Sequence, residues 1–174
     1  MNSFLNKNEL NKIGFKYLGE NIKISRFANF YSAHQISIGN NVRVDDFCIL
    51  SGSIHLKNNI HISAHCTLYG NSGIVLEDNT GISTGCILYS EIDDFTSSCL
   101  IGAQHTEAKR KLIKGKIILE EHSQLGAKSV VMPGITIKQG AVTGTMTFVN
   151  LNLNPWSVYI GSPAKFLKSR LPIN

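Results

Sequence analysis

An aliphatic side chain recurs at every sixth position of this chain, and few architectures tolerate that spacing. The series opens with Leu18, Ile24 and Phe30, runs through Ile38, Val44, Leu50, Leu56, Ile62 and Leu68, and continues with Leu76, Ile82 and Leu88. After a long interruption it resumes at Leu119, Leu125, Val131, Ile137, Thr143 and Val149, and only Thr143 is polar. The chain is 43% hydrophobic, so composition alone would leave more than half of these positions polar. Four residues after most beats stands a small or β-branched residue, such as Val42, Cys48, Ile54, Cys66, Cys86, Ser129 or Ala141. Two inward residues in six suit short flat strands joined by tight bends. Three such strands close one triangular coil of 18 residues, and stacked coils, about 4.8 Å apart, bury a thin continuous core. The expected fold is therefore all-β: a parallel β-helix of about six coils.

Segments such as Ile38-Gly39-Asn40-Asn41-Val42-Arg43 and Leu125-Gly126-Ala127-Lys128-Ser129-Val130 resemble the hexapeptide repeat of bacterial acyltransferases with a left-handed β-helix. The similarity extends over about residues 18–165. Left-handedness is what the resemblance implies, because the usual rule for parallel crossovers is the opposite hand.

At 174 residues the chain is long enough for one domain with its own core. The spacing divides it into an N-terminal extension (1–17), a β-helix (18–153) carrying an inserted loop (89–118), and a C-terminal segment (154–174). Residues 8–13 read as a helical turn stopped at Gly14, and Ser162-Pro163 reads as the start of a C-terminal helix. The net charge of +5 is concentrated at Lys109, Arg110, Lys111, Lys114 and Lys116, and at Lys165, Lys168 and Arg170, a pattern that fits small anionic ligands. Nucleic acid is not expected as a partner, because no aromatic-interleaved basic stripe accompanies the clusters. The first residues lack the apolar stretch of a signal peptide and no run of 18 apolar residues occurs, so the expectation is a cytoplasmic protein without membrane insertion. Cys48, Cys66 and Cys86 hold the small inward position of successive coils and are expected to stack as a ladder rather than bind metal.

The regular step fails between Phe30 and Ile38, Leu68 and Leu76, and Leu88 and Leu119. Each failure follows the third strand of a coil, so all three departures should leave from one edge of the prism. The last is long enough to require a function. It contains Asp93-Asp94-Phe95, the first basic cluster and Leu100-Ile101-Gly102-Ala103-Gln104-His105.

That last stretch is similar to the loop carrying the catalytic histidine in xenobiotic and galactoside acetyltransferases of this fold, which implies His105 as general base toward acetyl-CoA. His34, His55, His61, His65 and His122 read as surface residues. Asp-Asp-aromatic segments resemble those of sugar O-acetyltransferases from surface-polysaccharide gene clusters. This leaves Asp93 and Asp94 either orienting His105, binding a sugar acceptor, or forming a solvated acidic turn. By the same resemblance Gly126, Ala127, Gly144 and Thr145 would line the pantetheine groove between chains of a homotrimer. Lys165 and Lys168, with Arg170 nearby, would meet the phosphates of CoA. Trp156 either stacks on adenine or packs beneath the C-terminal segment. Many family members carry tryptophan where this chain has Gln124, so its acceptor pocket should differ.

The leading expectation is an acetyl-CoA-dependent O-acetyltransferase acting on a sugar or nucleotide-sugar hydroxyl. The alternative is an N-acetyltransferase acting on a nucleotide-linked amino sugar. A zinc enzyme of carbonic-anhydrase type and a non-catalytic scaffold rank lower, and no metal is expected.

Overall fold

A computed structural model describes residues 3–173; Met1, Asn2 and Asn174, which belong to the outer segments 1–17 and 154–174, lie outside the described residues. The chain winds into a left-handed parallel β-helix of about seven turns with three flat faces. Each beat of the sequence takes the same place on its face, one coil above the last. Leu18, Ile38, Leu56, Leu76, Leu119, Ile137 and Leu153 run along the first face. Ile24, Val44, Ile62, Ile82, Leu125, Thr143 and Tyr159 run along the second. Phe30, Leu50, Leu68, Leu88, Val131 and Val149 run along the third. Away from the N-terminal coil these side chains are almost wholly buried. Leu153, four residues after Val149, and Tyr159, six residues later, form a seventh, partial turn that the sequence count of six coils leaves out.

The corner between the first and second faces explains the asparagines. Asn21, Asn41, Asn59 and Asn79 all have left-handed backbone, with φ of 54, 56, 56 and 60°, a conformation in which asparagine is several-fold enriched. Their side chains form a hydrogen-bonded ladder, each amide donating to the next carbonyl at 2.8 to 3.0 Å. One position earlier, Asn40, Asn58 and Asp78 accept backbone N–H groups from the preceding coil at 2.8 to 2.9 Å. Polar corner groups are thus satisfied by copies of themselves.

Cys48, Cys66 and Cys86 are fully buried and each thiol donates to a backbone carbonyl of the next coil at 3.1 Å. The neighbouring Cys66 thiol together with burial pushes the Cys48 thiol far up, so it packs as a small hydrophobe.

Helix Lys7–Ile13 caps the N-terminal end, held by a capping box between Asn6 and Glu9 and stopped by Gly14 at φ 80°. At the other end the expected C-terminal helix is absent. Residues 161–164 reverse the chain, and Lys165–Ser169 forms a strand antiparallel to Ser157–Ile160. The last coil leaves a row of backbone groups unpaired on its outer side, and satisfying that edge outweighs the local helix signal of Ser162-Pro163.

All three departures leave at the corner between the third and first faces. The first two departures cross that corner as helix Ala33–Gln35 in the first coil and as the continuous strand Thr67–Leu76 in the third. The third departure is the long loop, which rises on a hairpin of Glu91–Asp93 and Leu112–Lys114. Among the described residues no helix is long and apolar enough to cross a membrane.

Candidate active site

The loop folds over the third face and encloses a cleft of about 660 Å³. Its floor comes from the solenoid, where Tyr69 and Tyr89 stack at 5.4 Å beside Met132. Its walls come from the loop: Glu91, Asp93, Phe95, Glu107 and Arg110. Asp93 and Arg110 form a two-point ion pair, Nε to Oδ1 at 2.8 Å and Nη2 to Oδ2 at 3.1 Å. Asp93 also accepts the Gly102 N–H at 3.1 Å. The Arg110 guanidinium therefore holds the Asp93 carboxyl below its ordinary range against a smaller opposing effect of burial, and the group stays ionised.

Asp94 faces away from this cleft and builds the loop. Its Oδ1 accepts from the Thr96 hydroxyl at 2.6 Å and the Thr96 N–H at 3.0 Å, while Oδ2 meets Lys111 at 3.0 Å. Bonds from Thr96 and Lys111 hold its pKa down to about 2. Because the folded value lies below the ordinary carboxylate value, the support Asp94 gives the loop is full above about pH 4 and disappears as pH falls toward 2. Hydrogen exchange should show loop amides, Thr96 included, losing protection in that window before amides of the solenoid strands do.

The first basic cluster is largely spent inside the loop: Arg110 on Asp93, Lys111 on Asp94, and Lys114 3.9 Å from Glu91. His105 stands half-buried between two cleft-lining residues, Ala103 and Glu107. Its N–H donates to Gly102 O at 3.2 Å, and its ring makes no hydrogen bond among the described residues. Asp93 is close enough for His105 to act on its charge, but its bonds go to Arg110 and Gly102.

Gly126 and Gly144 lie one above the other in successive coils at the corner between the second and third faces, with Ala127 O accepting the Met146 N–H at 2.8 Å. A Cβ on Gly126 would collide with the Gly144 carbonyl. Thr145 is exposed beside them. Ile160 covers Gly144 and pairs with Lys165, which brings Lys165 to this corner. Lys168 pairs with Val158 further across the second face. Arg170 lies at the opposite corner, donating to Gly140 O at 3.0 Å with its guanidinium 5.6 Å over the Trp156 ring. Trp156 packs over Gly140, so its role is packing beneath the terminal strand.

A second cleft, of about 530 Å³, opens on the second face, across the prism from the loop. Arg43, His61, Gly81 and Gln124 occupy one row there in successive coils. The sequence does not display this row, because its members are spread from Arg43 to Gln124 and meet only through the coil register. Among the described residues no group of three or more His, Cys, Asp and Glu side chains is placed to hold a metal ion.

The chain is 32% identical over 171 residues to the dTDP-4-amino-4,6-dideoxy-D-glucose acyltransferase of Escherichia coli, covering 97% of this chain and 89% of the relative. It superposes with a TM-score of 0.96 on AntD, an N-acyltransferase from Bacillus cereus solved with dTDP and 3-hydroxybutyryl-CoA, at 42% identity over 98% of this chain and 92% of AntD. This chain is a hexapeptide-repeat acyltransferase. The fold of this acyltransferase also matches a hexapeptide-repeat acetyltransferase from Vibrio cholerae, at a TM-score of 0.66 and 20% identity over 98% of this chain and 85% of the other. No protein-family model matches it.

Proposed function

We propose that this enzyme works as a homotrimer and transfers an acyl group from acetyl-CoA, or a slightly larger acyl-CoA, to the amino group of a dTDP-linked 4-amino-4,6-dideoxy sugar. The near-full-length likeness to AntD and to the E. coli acyltransferase carries this reading and raises the amine above the sugar hydroxyl that the sequence reading ranks first. The chemistry of the loop cleft supports it. Glu91, Asp93 and Glu107 outnumber Arg110 around the cleft, and an ionised Asp93 suits the positive charge that an amine acquires as it attacks the thioester. AntD has been solved with substitutions of one serine and of one aspartate. Residues of those two types, Ser83 and Asp93, line the two clefts here. Those clefts lie on different sides of one chain, which favours a site completed by a neighbouring copy.

The donor would run along Gly126, Ala127, Gly144 and Thr145, where small residues let the backbone approach the pantetheine arm; the N–H groups of Gly126 and Gly144 are already given to Thr143 Oγ1 and Tyr159 O, which leaves those of Ala127 and Thr145 for the donor. Lys165 and Lys168 would meet the CoA phosphates. Arg170 falls outside this set, because Trp156 and Gly140 already hold it. Four unpaired cysteines suit a reducing compartment, and the proposal includes a cytoplasmic location.

The test is acyl transfer from acetyl-CoA and from 3-hydroxybutyryl-CoA to dTDP-4-amino-4,6-dideoxyglucose, followed by release of free CoA thiol, in the parent protein and in His105→Ala. An amine attacks without prior deprotonation and the His105 ring has no partner to orient it, so the variant should keep activity within about threefold. A hydroxyl acceptor depends on a base, and loss of that base costs about 10²–10⁴-fold. No turnover of the amino sugar, with turnover of a hydroxyl sugar that collapses in His105→Ala, would reverse the assignment in favour of O-acylation with His105 as general base.

A further inference from the structure

The cleft on the second face carries an arginine and a histidine held by one carboxylate. Asp45 accepts from Arg43 Nε at 2.6 Å through one oxygen and from His61 Nε2 at 2.8 Å through the other. Its side chain is only 18% exposed, whereas those of Arg43 and His61 are 51% and 49% exposed. One carboxylate at the base thus fixes the orientation of both side chains. Arg43 Nη1 and Nη2, and His61 Nδ1, make no protein hydrogen bond among the described residues. Burial works against the Asp45 charge, but the bonds from His61 and Arg43 outweigh it and hold its pKa below the ordinary range.

Beyond His61 the next position is Gly81, and the end of the Gln124 side chain lies against it in place of a side chain of its own, with Nε2 donating to Asn79 O at 3.4 Å. The cleft edges are amides and hydroxyls: Asn41, Asn59, Asn79, Ser63 and Ser83. A guanidinium offering two terminal nitrogens, an imidazole whose Nδ1 donates when the ring carries both protons, and the Gln124 amide lying over Gly81 fit two linked phosphates followed by a sugar ring. The loop cleft, rich in carboxylates, fits the other end of such a molecule and repels this one.

We infer that the Arg43–His61 cleft binds the nucleoside diphosphate portion of the acceptor. This rests on the amino-sugar nucleotide reading above and adds to it which side chains hold the anionic half. Because the two clefts lie across the prism from one another, each protomer would contribute the phosphate-binding row to one active site and the loop to another.

The experiment is calorimetric titration with dTDP and, separately, with CoA. The proteins are the parent protein, an Arg43→Gln, His61→Gln double variant and a Gly81→Leu variant that keeps Arg43 and His61 but displaces the Gln124 amide. Both variants should bind dTDP at least tenfold more weakly while CoA affinity stays within twofold. In turnover the double variant should raise the acceptor KM at least tenfold with kcat little changed. If the parent binds dTDP and the double variant binds it equally well, this inference fails and the acceptor assignment survives. If the parent binds CoA but not dTDP, the acceptor assignment itself fails and takes the inference with it. Substitutions at two half-exposed positions leave the core untouched, and an unchanged thermal transition would confirm that the fold is intact.

Discussion

Arg110→Met should lower acyl transfer about a hundredfold and shift the thermal midpoint by no more than about 2 °C. The guanidinium and the Asp93 carboxylate are 15% and 12% exposed, and removing the cation leaves Asp93 in the cleft wall with only the Gly102 N–H as a partner. A carboxylate so placed seeks water or draws its proton back, and either response moves the hairpin that positions Phe95 and Glu107 over the tyrosine pair. Displacements near 1 Å at a reacting centre cost about two orders of magnitude in rate. Stability is spared because Arg110 touches none of the coil positions that make the core; the loop can open while the solenoid stays closed. Lys109→Ala, at the exposed neighbouring cation, should leave the rate within about twofold. Steady-state rates together with a melting curve for each variant decide the matter. A large fall in melting temperature for Arg110→Met would place the residue in the fold and outside the site.

The solenoid was legible because a period of six in sequence is a period in space: each coil repeats the same burial, and the register follows from counting. The common edge of the three departures came from the same counting. Of the elements without repetition, the N-terminal helix was legible from its own local signals, with Gly14 as its stop, but the C-terminal strand was not. Lys165–Ser169 carries a helix signal in isolation, and its strand state depends on the unpaired edge of Ser157–Ile160, which exists only once the last coil is laid down. The roles of Asp93 and Asp94 were left open because their partners, Arg110 and Lys111, are 17 residues away across a hairpin whose register the sequence does not display. In sequence His61 reads as a surface residue, Arg43 carries no signal of its own, and Gln124 stands out only for replacing a tryptophan. Only stacking makes them a row, and only the missing side chain of Gly81 makes that row a cleft.

The single polar beat shows where periodicity misleads. Read as a pattern, Thr143 is a flaw on the second face, and valine there should improve the core. The structure predicts the reverse. On this face the residue after each beat donates its N–H to the beat's carbonyl in the next coil: Ser63 to Ile82 at 2.9 Å, Ser83 to Leu125 at 3.0 Å. Gly126 instead donates to the Thr143 hydroxyl at 2.9 Å. That hydroxyl lies 3.0 Å from Ser129 Oγ, whose own proton is given to Gly126 O at 2.7 Å, so Thr143 is the donor between them. Thr143→Val keeps the shape and removes the hub, leaving the Gly126 N–H and one Ser129 lone pair without partners in a buried site. An unmet buried donor costs about 1–3 kcal/mol, more than the added methyl returns, so the melting midpoint should fall by about 3–8 °C. Thr143→Ser, which keeps the hydroxyl and loses the methyl, should fall less. Donor affinity should follow the same order, because Gly126 and Gly144 frame the proposed pantetheine groove and the hub sets their separation. Melting curves and CoA titrations of the two variants test both orders, and a valine variant as stable as the parent would show that the hub contributes nothing to the fold.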